Sequence, residues 1–127
     1  MKSFLSRILP FCAILALFLG FALVLPSRAE AHAVLIQSVP AANGTVPGPR
    51  INFSLHYNSR IDRGRSKLSV IYPDQSEHRL PIAEEGASDD LIQADAELPP
   101  GRYVLRWQVL AIDGHITRGN VPFTVGR

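Results

Sequence analysis

His32, Asp113 and His115 are the residues whose types and spacing could do chemistry, and the chemistry is that of a transition-metal ligand set. Asp113-Gly114-His115 places a carboxylate and an imidazole two positions apart. In extended backbone such residues share a face, and Gly114 removes steric obstruction between them. The same triplet is a turn signal, and most Asp-Gly-His triplets are loops with a surface histidine. His32 adds something different if it is the first residue of the mature chain. Its α-amine, with a pKa of about 8, yields its proton readily to a metal. The amine and the ring Nδ1 can then close a chelate on one ion. With Asp113 and His115 this makes three nitrogens and one oxygen. Such a set suits tetragonal Cu(II); Zn(II) accepts the same donors tetrahedrally, but Cu(II) binds them more tightly.

His32 comes first only if residues 1–31 are removed, and they read as a secretory signal peptide. Lys2 and Arg7 form a positive start, Ile8 to Leu25 an apolar run, and Ala29-Glu30-Ala31 a small-residue cleavage site. The rival reading is a retained anchor, since the apolar run approaches the length of a spanning helix. Cys12 is followed by more apolar sequence and preceded by Phe11, which argues against a lipoprotein. The organisation expected is therefore 1–31 signal peptide and 32–127 one domain.

Cleavage changes the bulk properties. Of 127 residues, 96 remain, enough for one small core. Lys2, Arg7, Arg28 and Glu30 leave with the signal, so ten basic and ten acidic residues remain and the formal charge is zero. The basicity of the precursor therefore says nothing about nucleic acid. The only cysteine and the only methionine leave as well. No disulfide can staple the domain, and no thioether or thiolate can bind a metal in it.

Other candidates are weaker. His56 falls on the polar phase of a strand and reads as a solvated histidine. His78 lies among Ser76, Glu77 and Arg79 near a turn and takes no role. Trp107 and Tyr103 fall on a buried phase. Glu84-Glu85 and Asp89-Asp90 read as a solvated loop. There is no Ser-His-Asp or Cys-His pattern, phosphate loop or basic aromatic patch.

The elements that must position the three donors read as all-β. Short apolar runs alternate with Gly, Pro, Asn and Asp clusters. Strands are expected over 33–37, 50–57, 67–72, about 78–82, 91–98, 102–111 and 120–125, with turns at Asn43-Gly44, Pro73-Asp74 and Pro99-Pro100-Gly101. Ile51, Phe53, Leu55 and Tyr57 alternate with polar residues, as do Tyr103, Leu105, Trp107, Val109 and Ala111 with their neighbours. Six or seven strands in this length predict a small Greek-key β-sandwich or barrel, immunoglobulin-like or cupredoxin-like. Gly101-Arg102-Tyr103 before the tryptophan strand resembles a tyrosine corner.

His32-Ala33-Val34-Leu35, Ser38-Val39-Pro40-Ala41 and Asn43-Gly44 resemble the mature start of the CopC copper-resistance family. Gly101-Arg102-Tyr103-Val104-Leu105-Arg106-Trp107, Asp113-Gly114-His115, Gly119 and Phe123-Thr124-Val125 resemble its C-terminal half. The resemblance implies a periplasmic or otherwise extracytoplasmic copper carrier or buffer, acting in copper resistance or homeostasis. It implies one Cu(II) per chain, held by His32, Asp113 and His115, and a CopD-type membrane copper transporter as partner. Some members add an acidic ligand after the second strand; here that region reads Asn58-Ser59-Arg60. Others hold Cu(I) in a methionine-rich loop, which this mature chain lacks. The expectation is thus a monomeric carrier and not an enzyme. The rivals are a copper-dependent oxidative enzyme, since lytic polysaccharide monooxygenases also use an N-terminal histidine chelate, and a metal-free interaction sandwich.

Overall fold

The computed structural model describes residues 32–127 apart from Gly86 and Ala87. The expected signal peptide, including its helix, lies outside the described residues. Eight strands follow: β1 Leu35–Val39, β2 Gly44–Pro47, β3 Arg50–Tyr57, β4 Ile61–Ile71, β5 Glu77–Leu80, β6 Leu91–Glu97, β7 Gly101–Ala111 and β8 Ile116–Gly126. They form a three-stranded sheet, β1-β3-β6, and a five-stranded sheet, β2-β8-β7-β4-β5. All pairings are antiparallel except β2 with β8. No helix occurs among the described residues.

The period-two pattern decides which side chains meet between the sheets. Ile51, Phe53, Leu55 and Tyr57 from β3 are buried, as are Tyr103, Leu105, Trp107, Val109 and Ala111 from β7. Leu68 and Val70 of β4 and Val121, Phe123 and Val125 of β8 complete the layer. Each large apolar side chain so buried contributes about 1.5–3 kcal/mol. That continuous layer lets a cysteine-free domain stand.

Two further contacts fix β7, one at its entry and one against β8. The Tyr103 hydroxyl donates to the Pro99 carbonyl at 2.6 Å, closing the tyrosine corner. Trp107 lies opposite Gly119. A Cβ at Gly119 would stand 2.4 Å from Trp107 Cζ2, so only glycine leaves the indole room.

The strands depart from the sequence reading in three places. The Asn43-Gly44 turn leads directly into β2, which sequence alone presents only as a turn. β4 begins at Ile61 rather than Lys67. Its register with β7 is interrupted between Asp62 and Lys67, and this irregularity hides the alternation. Ser66 is buried there, donating to the Asp62 carbonyl and accepting from Leu110 N–H. β8 begins at Ile116 rather than Asn120, because hydrogen bonds to β7 carry its polar first half.

Candidate metal centre

The β7–β8 connection and the start of the described chain meet at one end of the sandwich. After Ala111 the chain turns through Ile112, Asp113 and Gly114. Gly114 N–H donates to the Ala111 carbonyl at 2.9 Å, and Ala111 N–H donates to the His115 carbonyl at 2.9 Å. Gly114 has φ +89°. This is a three-residue hairpin loop whose last residue is left-handed, a conformation glycine adopts without penalty.

The turn corrects the route by which Asp113 and His115 meet. They share a face because the loop folds back, not because the backbone is extended. A Cβ at Gly114 would have open space around it, so glycine serves the φ angle rather than clearance. The Asp113 carboxylate spans the loop. Its Oδ1 accepts from His115 N–H at 3.0 Å, and its Oδ2 lies 3.1 Å from His115 Nδ1. The backbone hydrogen bond from His115, followed by the contact with its ring, holds the Asp113 carboxyl below the usual carboxylate range.

His32 arrives from the far end of the domain's sequence. The three residues that follow it are held firmly. Ala33 is buried, and its carbonyl accepts from Thr117 Oγ1 of β8 at 2.9 Å. Val34 N–H donates to Asn58 Oδ1 at 2.8 Å, and Asn58 N–H donates to the Val34 carbonyl at 3.0 Å. Leu35 then pairs with Tyr57. The His32 ring consequently packs edge-on to the His115 ring, with centroids 4.7 Å apart and planes at 88°.

One donor atom from each of His32, Asp113 and His115 lies within 4.8 Å of the other two. Donors sharing an ion at bond lengths of about 2.0–2.2 Å stand at most about 4.4 Å apart. Three donors on one ion cannot all stand opposite one another, and adjacent ones are about 3 Å apart, so closure needs side-chain rotation that draws the three donors together. The set is half-exposed: the His115 side chain is 54% accessible and that of Asp113 25%. An ion could reach it, and two nitrogens with an ionised oxygen fit a borderline cation such as Cu(II) or Zn(II).

Asn58 and Thr117 are the residues that reading the sequence missed. Asn58 begins the Asn58-Ser59-Arg60 stretch, which carries no acidic side chain, and its carboxamide oxygen accepts from the backbone of Val34 instead. A polar residue directly after a strand was the only signal available. His56 also departs from expectation. It is half-buried and lies 2.9 Å from Asp90 Oδ2, while Ser88 donates to the other oxygen of Asp90. His78 contacts the Ser76 hydroxyl at 3.0 Å and packs against Tyr72 with ring centroids 4.2 Å apart and planes tilted at 45°. Neither histidine joins the three donors.

Comparison with known proteins agrees with this architecture. The CopC domain model matches residues 35–126. Protein YobA of Escherichia coli K12 is 30% identical over 106 residues, covering 81% of this chain and 85% of its own. The crystal structure of CopC from Methylosinus trichosporium OB3b superposes with a TM-score of 0.68 at 24% identity, covering 74% of this chain and 93% of that one. PcoC, a methionine-rich copper-resistance protein from Escherichia coli, superposes at 0.61 with 26% identity, covering 76% and 100%. With a β-sandwich of this topology and a family match across nearly all of its described residues, the chain belongs to the CopC family, whose members include copper-resistance proteins.

Proposed function

We propose that this chain is exported, loses residues 1–31, and carries or buffers one Cu(II) per molecule through His32, Asp113 and His115. The single observation behind this reading is the meeting of His32 with the Asp113–His115 pair, from opposite ends of the domain, within 4.8 Å. The amine freed at His32 would complete three nitrogens and one oxygen, the set that favours Cu(II). Residues 32–127 contain no methionine or cysteine, so soft-ligand Cu(I) capture is absent from this reading. A carboxylate ligand fills a position that oxygen chemistry uses when open, which favours carriage over catalysis.

The signal peptide then belongs to the metal chemistry. While Ala31 is attached, the nitrogen of His32 is an amide and cannot act as a neutral amine donor. The site matures on export, in the periplasm or another extracytoplasmic space. A CopD-type membrane copper transporter is the partner this reading names, and the monomer is the working unit.

Isothermal titration and electron paramagnetic resonance with Cu(II) test the proposal. A chain beginning at His32 is expected to bind one ion with a tetragonal nitrogen-rich signal. A chain beginning at Ala31, or carrying His32→Ala, is expected to lose that signal and at least about 100-fold in affinity, since even outer-shell changes cost 10–100-fold. Equal affinity in all three chains would overturn it.

A further inference from the structure

The neutral charge of residues 32–127 hides a division between the two sheets. Strand alternation and exposure place Lys67, Arg79, Arg102, Arg106 and Arg118 on the outer face of the five-stranded sheet, with Arg65 beside them at the irregular part of β4. The acids within this face are Glu77 and Asp62, each already occupied, and Glu84 borders it at the β5 edge, lining a hollow with Arg79 without an ion pair to it. Glu77 lies 3.0 Å from Arg106 and Asp62 3.7 Å from Arg65. Lys67, Arg79, Arg102 and Arg118 have no carboxylate partner among the described residues. The outer face of the three-stranded sheet is the reverse, with Asp90, Asp95 and Glu97 against Arg50.

The basic face is broad rather than pocketed. From Arg102 to the level of Arg118 it runs about 20 Å along β7, and it spans about 14 Å from β8 to β5, by ordinary strand rise and spacing. A shallow hollow lined by Arg102, Arg106 and Asn120 lies within it. Ile116, half-exposed, continues the outward phase of Arg118 along β8, and Ile112, 66% exposed, lies on the adjoining loop. Distributed cations with an apolar margin complement an extended anionic sheet of charge edged by hydrocarbon. A compact acidic protein patch would ask for a tighter cluster.

We propose that the outer face of the five-stranded sheet docks on anionic phospholipid headgroups. Lys67, Arg79, Arg102 and Arg118 engage phosphates, and Ile112 and Ile116 rest at the headgroup–acyl boundary. The acidic opposite face gives the docking one orientation. It also lays the end of the domain bearing His32, Asp113 and His115 against the membrane. Docking rests on charge and does not require copper, so it stands or falls separately from the metal reading.

The test is co-sedimentation of the chain beginning at His32, whose core residues all lie within 33–125, with phosphatidylcholine vesicles with and without phosphatidylglycerol. Binding is expected only with phosphatidylglycerol, and it should weaken as salt rises. Arg102→Glu with Arg118→Glu should weaken partitioning at least about tenfold, since each basic residue near such a surface contributes a substantial factor. Lys67→Glu with Arg79→Glu should do the same from the other side of the face. Asp95→Lys with Glu97→Lys, on the opposite sheet, should not weaken it. Circular dichroism melts show whether each variant remains folded, and the two reversal pairs guard against either failing to fold. Equal binding to both vesicle types, binding indifferent to both reversal pairs, or capture by soluble polyglutamate without binding to vesicles would each overturn the proposal.

Discussion

Two histidine–aspartate pairs in this domain look alike in isolation. His115 lies 3.1 Å from Asp113 at the β7–β8 turn, and His56 lies 2.9 Å from Asp90 on the three-stranded sheet. Both pairs are partly exposed. Both carboxyls are held below their ordinary range by hydrogen bonds, Asp113 chiefly by the His115 backbone and Asp90 chiefly by the Ser88 hydroxyl. The difference lies in what arrives beside them. The turn pair receives His32 from another part of the chain, held by Thr117 and Asn58. The sheet pair receives Ser88, a neutral hydroxyl already donating to Asp90. A pair is an ordinary surface contact; a third donor makes it a candidate site.

The largest expected effect separates the pairs directly. His115→Ala or Asp113→Ala should lower Cu(II) affinity at least about 100-fold, whereas His56→Ala should leave it within error. Loss of affinity in His56→Ala comparable to that in His115→Ala would erase the distinction. A second variant acts on support rather than ligand. Asn58→Ala removes the carboxamide that receives Val34 N–H, and the freed start of the chain should cost about tenfold in affinity, as outer-shell changes do. Thermal melting would check that the fold survives.

Stability measurements sharpen the contrast further. Gly119→Ala forces a methyl against Trp107 and should cost about 1–3 kcal/mol, read by urea denaturation. Gly114→Ala puts a side chain at positive φ and should cost about 1–2 kcal/mol. It should also weaken Cu(II) binding, because the same turn sets the Asp113–His115 geometry; Gly119→Ala should not do so beyond its effect on folding. The smallest effect belongs to the sheet pair. With its carboxyl lowered on folding, Asp90 contributes stability above the ordinary carboxyl pKa of 3.8 and loses it as pH falls through the lower folded value. Asp90→Asn should therefore lower the melting temperature slightly at neutral pH and not at all well below pH 3.8.

Much of this was legible in the chain and some was not. The alternation over β3 and β7 is visible because one face of each strand is buried and the other wet. Tyr103 could be read as a corner because Pro99-Pro100-Gly101 precedes it. β2 and the start of β4 were not legible. β2 is four residues of mixed polarity held by parallel pairing to a distant strand, and the irregularity between Asp62 and Lys67 breaks the period. Asp113 and His115 do lie side by side, but for a different local reason from the one read in the sequence, since a three-residue loop and an extended segment can place i and i+2 on one side alike.

By itself the sequence determined the chemistry available to this domain. Four histidines, ten carboxylates and no sulfur after residue 31 restrict any metal to nitrogen and oxygen donors, and the period-two apolar runs require two facing sheets. Only the tertiary structure decided which donors meet. Thr117 holds Ala33 across 84 positions of chain, and that long-range hydrogen bond, with Asn58, brings His32 to the β7–β8 turn rather than to His56 or His78. The physical reason is that ligand convergence depends on strand register and on a few backbone contacts between remote segments, and neither is written in the local pattern of residues.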